Sequence, residues 1–390
     1  MKSAQRARLY VSSLGVYVAY INGKRVGEEH LAPGWTSYEH RLQYQVFEVS
    51  ALLGKGDNTL AVEVGEGWYA GRWLYCNGGS APRCPYGTRI AALAQLEICS
   101  PDSTELEPAL RVVSDQSWEY LPSPIQTSGI YNGETYDQRL EEEEWHNSPR
   151  TLDSAKWAPV EIVPFPKTQL LASRSPPVKA TQEVLPVRIF RSPSGKTLVD
   201  FGQNLVGKLR IAAIKGLPEG HRVQFRHAEV LEDGELGTRP LRGAKQTDVV
   251  VLGTRGSLVD WSPEFTTHGF RYVEIEGWAP PDLTALCARV LHADMERTGH
   301  FECSNKMLNR LHNNIVWSTR GNFGAVPTDC PQRDERLGWT GDIQVFCPVA
   351  TFLFDCAGML GNWMEDLLLD QRDLDGHVPL IVPNAMMHNI

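Results

Sequence analysis

The apolar residues of this 390-residue chain keep a two-residue period up to about residue 293, then change to a helical one. That switch constrains the fold more than any other feature, because side chains alternate across a strand but return every 3.6 residues around a helix. Before it, Ala7 to Val11 alternates, YVAYI (17–21) reads as a strand, and Asn22-Gly23 is a hairpin turn ahead of KRVG. LQYQVFEV (42–49) and TLAVEV (59–64) follow, the second with Leu60, Val62 and Val64 on one face after a GKGDN turn. Beyond a polar, proline-containing passage (141–187) the strands resume as VRIF, KTLVDF, GKLRIAAI, HRVQFRHAEV, DVVVLG and FRYVEIEG. The expected organisation is an antiparallel β-sandwich over 1–160, a linker over 161–186 and a second antiparallel β-sandwich over 187–293.

From 298 to 390 the expectation is helical. Ser304 is the predicted N-cap of a first helix carrying Met307, Leu308, Leu311 and Ile315 on one face. Ile343, Phe346, Val349 and Leu353 mark a second apolar face, and Met359, Leu360, Trp363, Met364 and Leu367 a third. Three helices bury little of their own apolar surface, so they predict the opening of a larger helical domain that continues past residue 390.

Composition narrows the function. With 42% hydrophobic and 22% charged residues the chain is globular, and its net charge of −9 argues against nucleic acid or an anionic membrane as a partner. A neutral small molecule or sugar suits that balance. The cysteines (76, 84, 99, 287, 303, 330, 347 and 356) form no CxxC pair, which predicts reduced thiols and no zinc site. His227, His268 and His312 share no ligand-like spacing and read as structural or surface groups, and no acidic cluster is specific enough to assign calcium. No metal or cofactor is therefore expected. The N-terminus lacks an apolar signal-peptide core and no run approaches a membrane span, which predicts a cytoplasmic protein, or an exported one if the N-terminus is truncated.

Two stretches stand out chemically. Trp68, Tyr69, Trp73 and Tyr75 cluster in a glycine-rich segment, either as aromatics capping the sandwich or as a platform on which a sugar stacks. Residues 328–342, TDCPQRDERLGWTGD, place Asp329, Arg333, Asp334, Glu335, Arg336 and Asp342 between two apolar helices. Pro331 restricts this connection, and Gly338 and Gly341 are expected to permit tight turns. A solvated loop has little use for Leu337 and Trp339; a salt-bridged plug and a glycoside site both remain open. Carboxylates and guanidinium groups hold sugar hydroxyls, an indole packs on the C–H face, and a protonated carboxyl can donate to a leaving oxygen. Crowding among Asp329, Asp334 and Asp342 would raise the pKa of Glu335, while the two arginines push the other way.

PTDCPQRDERLGWTGD resembles the signature of the glycoside hydrolase family 78 α-L-rhamnosidases. LYVSSLGVYVAYINGKRVG with LAPGWTSY is similar to that family's N-terminal lectin-like β-sandwich. VDFGQNLVGKLRI, RHAEVL and HGFRYVEIEG resemble its second β-domain, and GHFECSNKMLNRLHNNIVWSTRGNF the start of its (α/α)6 barrel. The resemblance implies inverting hydrolysis of terminal α-L-rhamnosides, with Glu335 as general acid and Asp329, Arg333, Trp339 and Asp342 holding the rhamnose. An apolar contact to the 6-methyl would contribute only about 1–3 kcal/mol of discrimination. Inversion sets the two carboxyl groups roughly 6.5–9.5 Å apart. The resemblance further implies a general base that is a glutamate far downstream, beyond residue 390; Glu365, the last glutamate of this chain, reads as a surface or i,i+4 residue. The 390-residue chain is accordingly expected to turn over poorly by itself. The rival readings are a non-catalytic carbohydrate-binding or scaffold protein, and a helical-barrel glycosidase for another sugar.

Overall fold

Asn22 and Gly23 both take positive φ (51° and 77°), closing the hairpin between strands Val16–Ile21 and Lys24–Arg25 as their sequence predicts. The computed structural model describes residues 6–72, 86–99, 108–142, 145–147, 156–164 and 168–385. They form a multidomain, mostly β region followed by a few helices.

In the N-terminal part, strand Arg6–Leu14 lies between Arg41–Glu48 and Ala91–Cys99, with Gln169–Ala172 and Leu110–Val113 at the edges. A three-stranded sheet of Lys24–Arg25, Val16–Ile21 and Leu60–Gly65 faces it. Leu9 and Val11 from one sheet and Tyr17, Ala19 and Ile21 from the other share a buried core, with Leu60, Val62 and Val64 half-buried against it.

The second β region is a ten-stranded sheet built around the 19-residue strand Thr197–Lys215. Its composition corrects the expected boundaries. The 161–186 passage is no simple linker: Gln169–Ala172 pairs in parallel with Arg41–Glu48, and Val178–Val184 pairs antiparallel with Leu286–Ala293. Both strands are short or largely solvent-facing edges, so they lack the buried alternation that betrays a strand in sequence. Strands Ile125–Gly129 and Gly133–Asp137, expected in the first sandwich, also belong to the second sheet, through parallel pairing of Gly133–Asp137 with Thr247–Val251.

Four helices are described: α1 (Gly67–Ala70), α2 (Lys306–Asn322), α3 (Thr340–Leu353) and α4 (Ala357–Asp373). The cap of α2 is Asn305, not Ser304; its side chain accepts from the amides of Met307 and Leu308 at 2.9 and 3.4 Å. Ile315, Ile343, Leu353, Met359 and Trp363 pack with Trp35, Tyr38 and Leu42 of the N-terminal part in one core. The predicted face of α2 is otherwise outward: Met307 is 81% and Leu311 55% exposed. None of the helices is long and apolar enough to cross a membrane.

Arg41 locks the N-terminal part to α4. It is buried, its Nε and Nη2 donate to the two carboxylate oxygens of Asp366 at 2.6 and 2.7 Å, and Nη1 reaches Asn362 Oδ1 and Glu365 Oε2. Glu365 also accepts from Arg174 at 3.3 Å, so its partners are arginines distant in sequence and not the i,i+4 neighbour expected of a helix surface. Beside this pair, the Ser37 hydroxyl donates to Asp370, whose pKa burial pushes up to about 6.

Candidate active site

The 328–342 connection is wedged between the helices and both β regions. Leu337 is fully buried in the helical core, and Trp339 forms an isolated bridge with Ile381 just before α3. Gly338 serves close approach and not the tight turn expected of it: a Cβ there would collide with the Val382 carbonyl oxygen, which lies against it on the neighbouring backbone. Gly341 lies in the first turn of α3 with open space around it.

On the β side, Arg336 is the anchor. Its guanidinium donates to Ile130 O at 2.6 Å, Thr267 O at 2.8 Å and Gln246 Oε1 at 3.1 Å, and lies 5.5 Å over the Tyr131 ring. Burial lowers its pKa to about 10, so it remains a cation. Gln246 continues the network. Its Oε1 is 3.1 Å from His268 Nδ1, whose Nε2 is 3.0 Å from Asp248. His227 stacks on His268 with centroids 4.2 Å apart. His227, Asp248 and His268 are thus brought together, their ligand-capable atoms within 4.8 Å, although nothing in their spacing along the chain shows it. Burial drives the pKa of His227 down to about 3, so its ring is neutral.

Glu335 is nearly buried, and its carboxylate is surrounded by donors. Oε2 accepts from Arg333 Nε and Arg242 Nη1, each at 2.8 Å, and Oε1 accepts from the Trp339 indole at 3.1 Å. The Tyr131 hydroxyl fixes the backbone by donating to Glu335 O at 2.7 Å. Asp329 stands alongside: Arg333 Nη2 donates to its Oδ2 at 3.0 Å and Leu337 N to its Oδ1 at 2.8 Å. Burial raises the pKa of Asp329, with the Cys330 thiol and the Leu337 amide opposing. Burial likewise pushes the Cys330 thiol up to about 12, so it stays protonated. Asp329, Cys330 and Glu335 could together face a cation, but the Arg333 guanidinium already joins the two carboxylates.

Four of the predicted residues, Asp329, Arg333, Glu335 and Trp339, therefore form one connected group. Asp342 is not in it: its carboxylate is exposed on the first turn of α3. The expected crowding of carboxylates around Glu335 also fails, for Asp334 turns to the β regions, taking Arg72 Nη2 of the N-terminal part at 3.0 Å and Gly243 N of the second at 3.1 Å. Only Asp329 remains close, and two arginines face Glu335 instead. Arg242 escaped sequence reasoning because it lies 93 residues upstream. Its one local signal is structural, a positive φ of 54° after the short turn Arg239–Leu241. Trp68 stacks on Trp35 at 6.2 Å and Tyr69 on Tyr86 at 6.4 Å, packed against the helical core; Trp73 and Tyr75 lie outside the described residues.

A nearly buried carboxyl group held by guanidinium and indole donors, on a loop joining β-sheets to helices, is architecture suited to a carbohydrate-active protein. Comparison with known proteins agrees. Residues 2–182 match the alpha-L-rhamnosidase N-terminal domain, 190–292 the bacterial alpha-L-rhamnosidase concanavalin-like domain, and 296–389 the bacterial alpha-L-rhamnosidase 6 hairpin glycosidase domain. An α-L-rhamnosidase of Streptomyces avermitilis is 43% identical over 389 residues, covering 98% of this chain and 36% of that protein. One of Formosa agariphila is 35% identical, covering 98% and 40%. The crystal structure of a native α-L-rhamnosidase from Aspergillus terreus superposes with a TM-score of 0.92 at 46% identity, covering 98% of this chain and 44% of that one. The matched domains are those of a glycoside hydrolase class. The chain belongs to the α-L-rhamnosidase family, glycoside hydrolase family 78. It spans about two fifths of the length of the relatives it matches.

Proposed function

We propose that this chain carries the acid side of an inverting α-L-rhamnosidase acting on terminal α-L-rhamnosides of glycosides or polysaccharides. The observation that supports it most is the Glu335 carboxyl, nearly buried, hydrogen-bonded by Trp339, and sharing Arg333 with Asp329. In this reading Glu335 donates the proton to the leaving glycosidic oxygen. To do so it must first lose a guanidinium partner, and Arg242 is the one that can leave: its side chain is 45% exposed and arrives from the other region. Asp329 and Arg333 hold sugar hydroxyls through charge-assisted hydrogen bonds, Trp339 packs on the C–H face, and Asp342 offers an exposed carboxylate at the rim.

The finer architecture follows the same reading: two β-sandwiches, the first lectin-like, and α2 to α4 as the first helices of an (α/α)6 barrel. The outward apolar side chains of Met307, Leu311, Val345 and Phe352 support it, since a barrel buries such faces between neighbouring helices.

The test is Glu335→Gln in the full-length protein with an aryl α-L-rhamnoside. Hydrolysis should fall by about 10²- to 10⁴-fold, the usual contribution of a general acid, while L-rhamnose binding persists. Unchanged rates would remove Glu335 from the reaction.

A further inference from the structure

A cavity of about 990 Å³ shares no residue with the loop around Glu335. It opens on the second β region, where the ends of strand Thr197–Lys215 meet strand His268–Glu276 and the loop running on to Pro281. Trp278 gives it an apolar wall. The indole packs edge-on against Phe225, centroids 6.4 Å apart and planes at 75°, so it is anchored while staying half-exposed. His221 Nε2, 2.6 Å from Gly277 O, fixes the backbone just before it.

The rim is basic on a chain whose net charge is −9. Arg191, Lys196 and Lys215 face Glu274 and Glu276. Glu274 is already matched, by Lys196 Nζ and Arg226 Nη1 at 3.1 Å each. Among the described residues Arg191 meets only neutral oxygens, Gly195 O at 3.0 Å and Thr197 Oγ1 at 2.8 Å. Lys215 makes no ion pair among the described residues. Two cations without carboxylate partners therefore stand beside a half-exposed indole, against the single carboxylate of Glu276.

We propose that this cavity binds an acidic oligosaccharide, with a uronate carboxylate against Arg191 and Lys215 and the C–H face of a neighbouring ring on Trp278. Glu276 and the Thr197 hydroxyl then take ring hydroxyls. Cations select the anion and the indole selects a flat apolar ring face, a combination that an acidic peptide does not match. The site extends the rhamnoside reading with a second place to hold a polymeric substrate, and it stands or falls independently of Glu335.

The experiment is isothermal titration of the 390-residue chain with hexagalacturonate, neutral maltohexaose and hexaglutamate, at low and moderate salt. Hexagalacturonate should bind at least about tenfold tighter than the other two and weaken with salt. Trp278→Ala and Lys215→Ala should each cost about tenfold or more, Trp278→Phe about two- to threefold, and Glu335→Gln nothing. Lys215→Ala and Trp278→Phe keep the test decisive should Trp278→Ala fail to fold. Equal or tighter binding of hexaglutamate, no preference for the acidic saccharide, or loss of binding in Glu335→Gln would overturn the proposal.

Discussion

Asp366→Ala tests how firmly the helices are fastened to the N-terminal β region. Asp366 is fully buried and supplies both oxygens of the bidentate pair with Arg41, one of which also accepts from Ser37 N at 2.9 Å. Removing it leaves a buried guanidinium with Asn362 and the half-exposed Glu365 as its remaining partners. Breaking a buried pair costs about 3–5 kcal/mol, and the half-exposed Glu365 offsets only part of that here. The suitable assay is hydrogen exchange of the α4 amides, because a multidomain chain has no single unfolding free energy. Protection in α4 should fall by roughly 10²- to 10⁴-fold, the same energy expressed as an equilibrium constant. The double variant Arg41→Met/Asp366→Leu should recover most of that loss, since a packed apolar pair replaces a buried ion pair at little net cost. A single-variant effect under about 1 kcal/mol, or a double variant as damaged as the single, would refute the reasoning.

Three further outcomes are expected. Asp370 binds its proton more tightly folded than unfolded, so its contribution is fully present below about pH 4 and is lost as pH rises through about 6, roughly 3 kcal/mol in all. Asp370→Asn should flatten thermal stability between those pH values, and a slope equal to that of the parent would sink the idea. Gln246→Leu removes the acceptor shared by Arg336 and His268 and leaves a buried cation short of a partner, so stability should drop by about 1–3 kcal/mol with altered Trp339 fluorescence. Denaturant titration followed at the indole checks both effects. Gly338→Ala forces a methyl against the Val382 carbonyl and should cost about 1–3 kcal/mol or more, read as a lowered melting temperature.

What the sequence disclosed was local. Asn22-Gly23 announced its own turn, and the apolar spacing around Ile343 and Met359 announced α3 and α4, because each signal sits within a few residues of its effect. The group around Glu335 was legible only where its members are neighbours, from Asp329 to Trp339. Arg242, Tyr131 and Gln246 arrive from 93, 204 and 90 residues away, and pattern reading has no access to such pairings. The cap of α2 fell one residue from its expected place because Ser304 and Asn305 carry equally good capping side chains. Edge strands such as Val178–Val184 escaped because solvent, not a core, faces most of their side chains.

The parallel pairing of Gly133–Asp137 with Thr247–Val251 has a consequence during synthesis. Thr135 leaves the ribosome 114 residues ahead of its partner Val249. At about 5–20 residues per second, that strand waits roughly 6–23 s with its hydrogen-bonding edge bare. A chaperone able to shield it, or simply a faster translation rate across those codons, should therefore raise the yield of soluble protein.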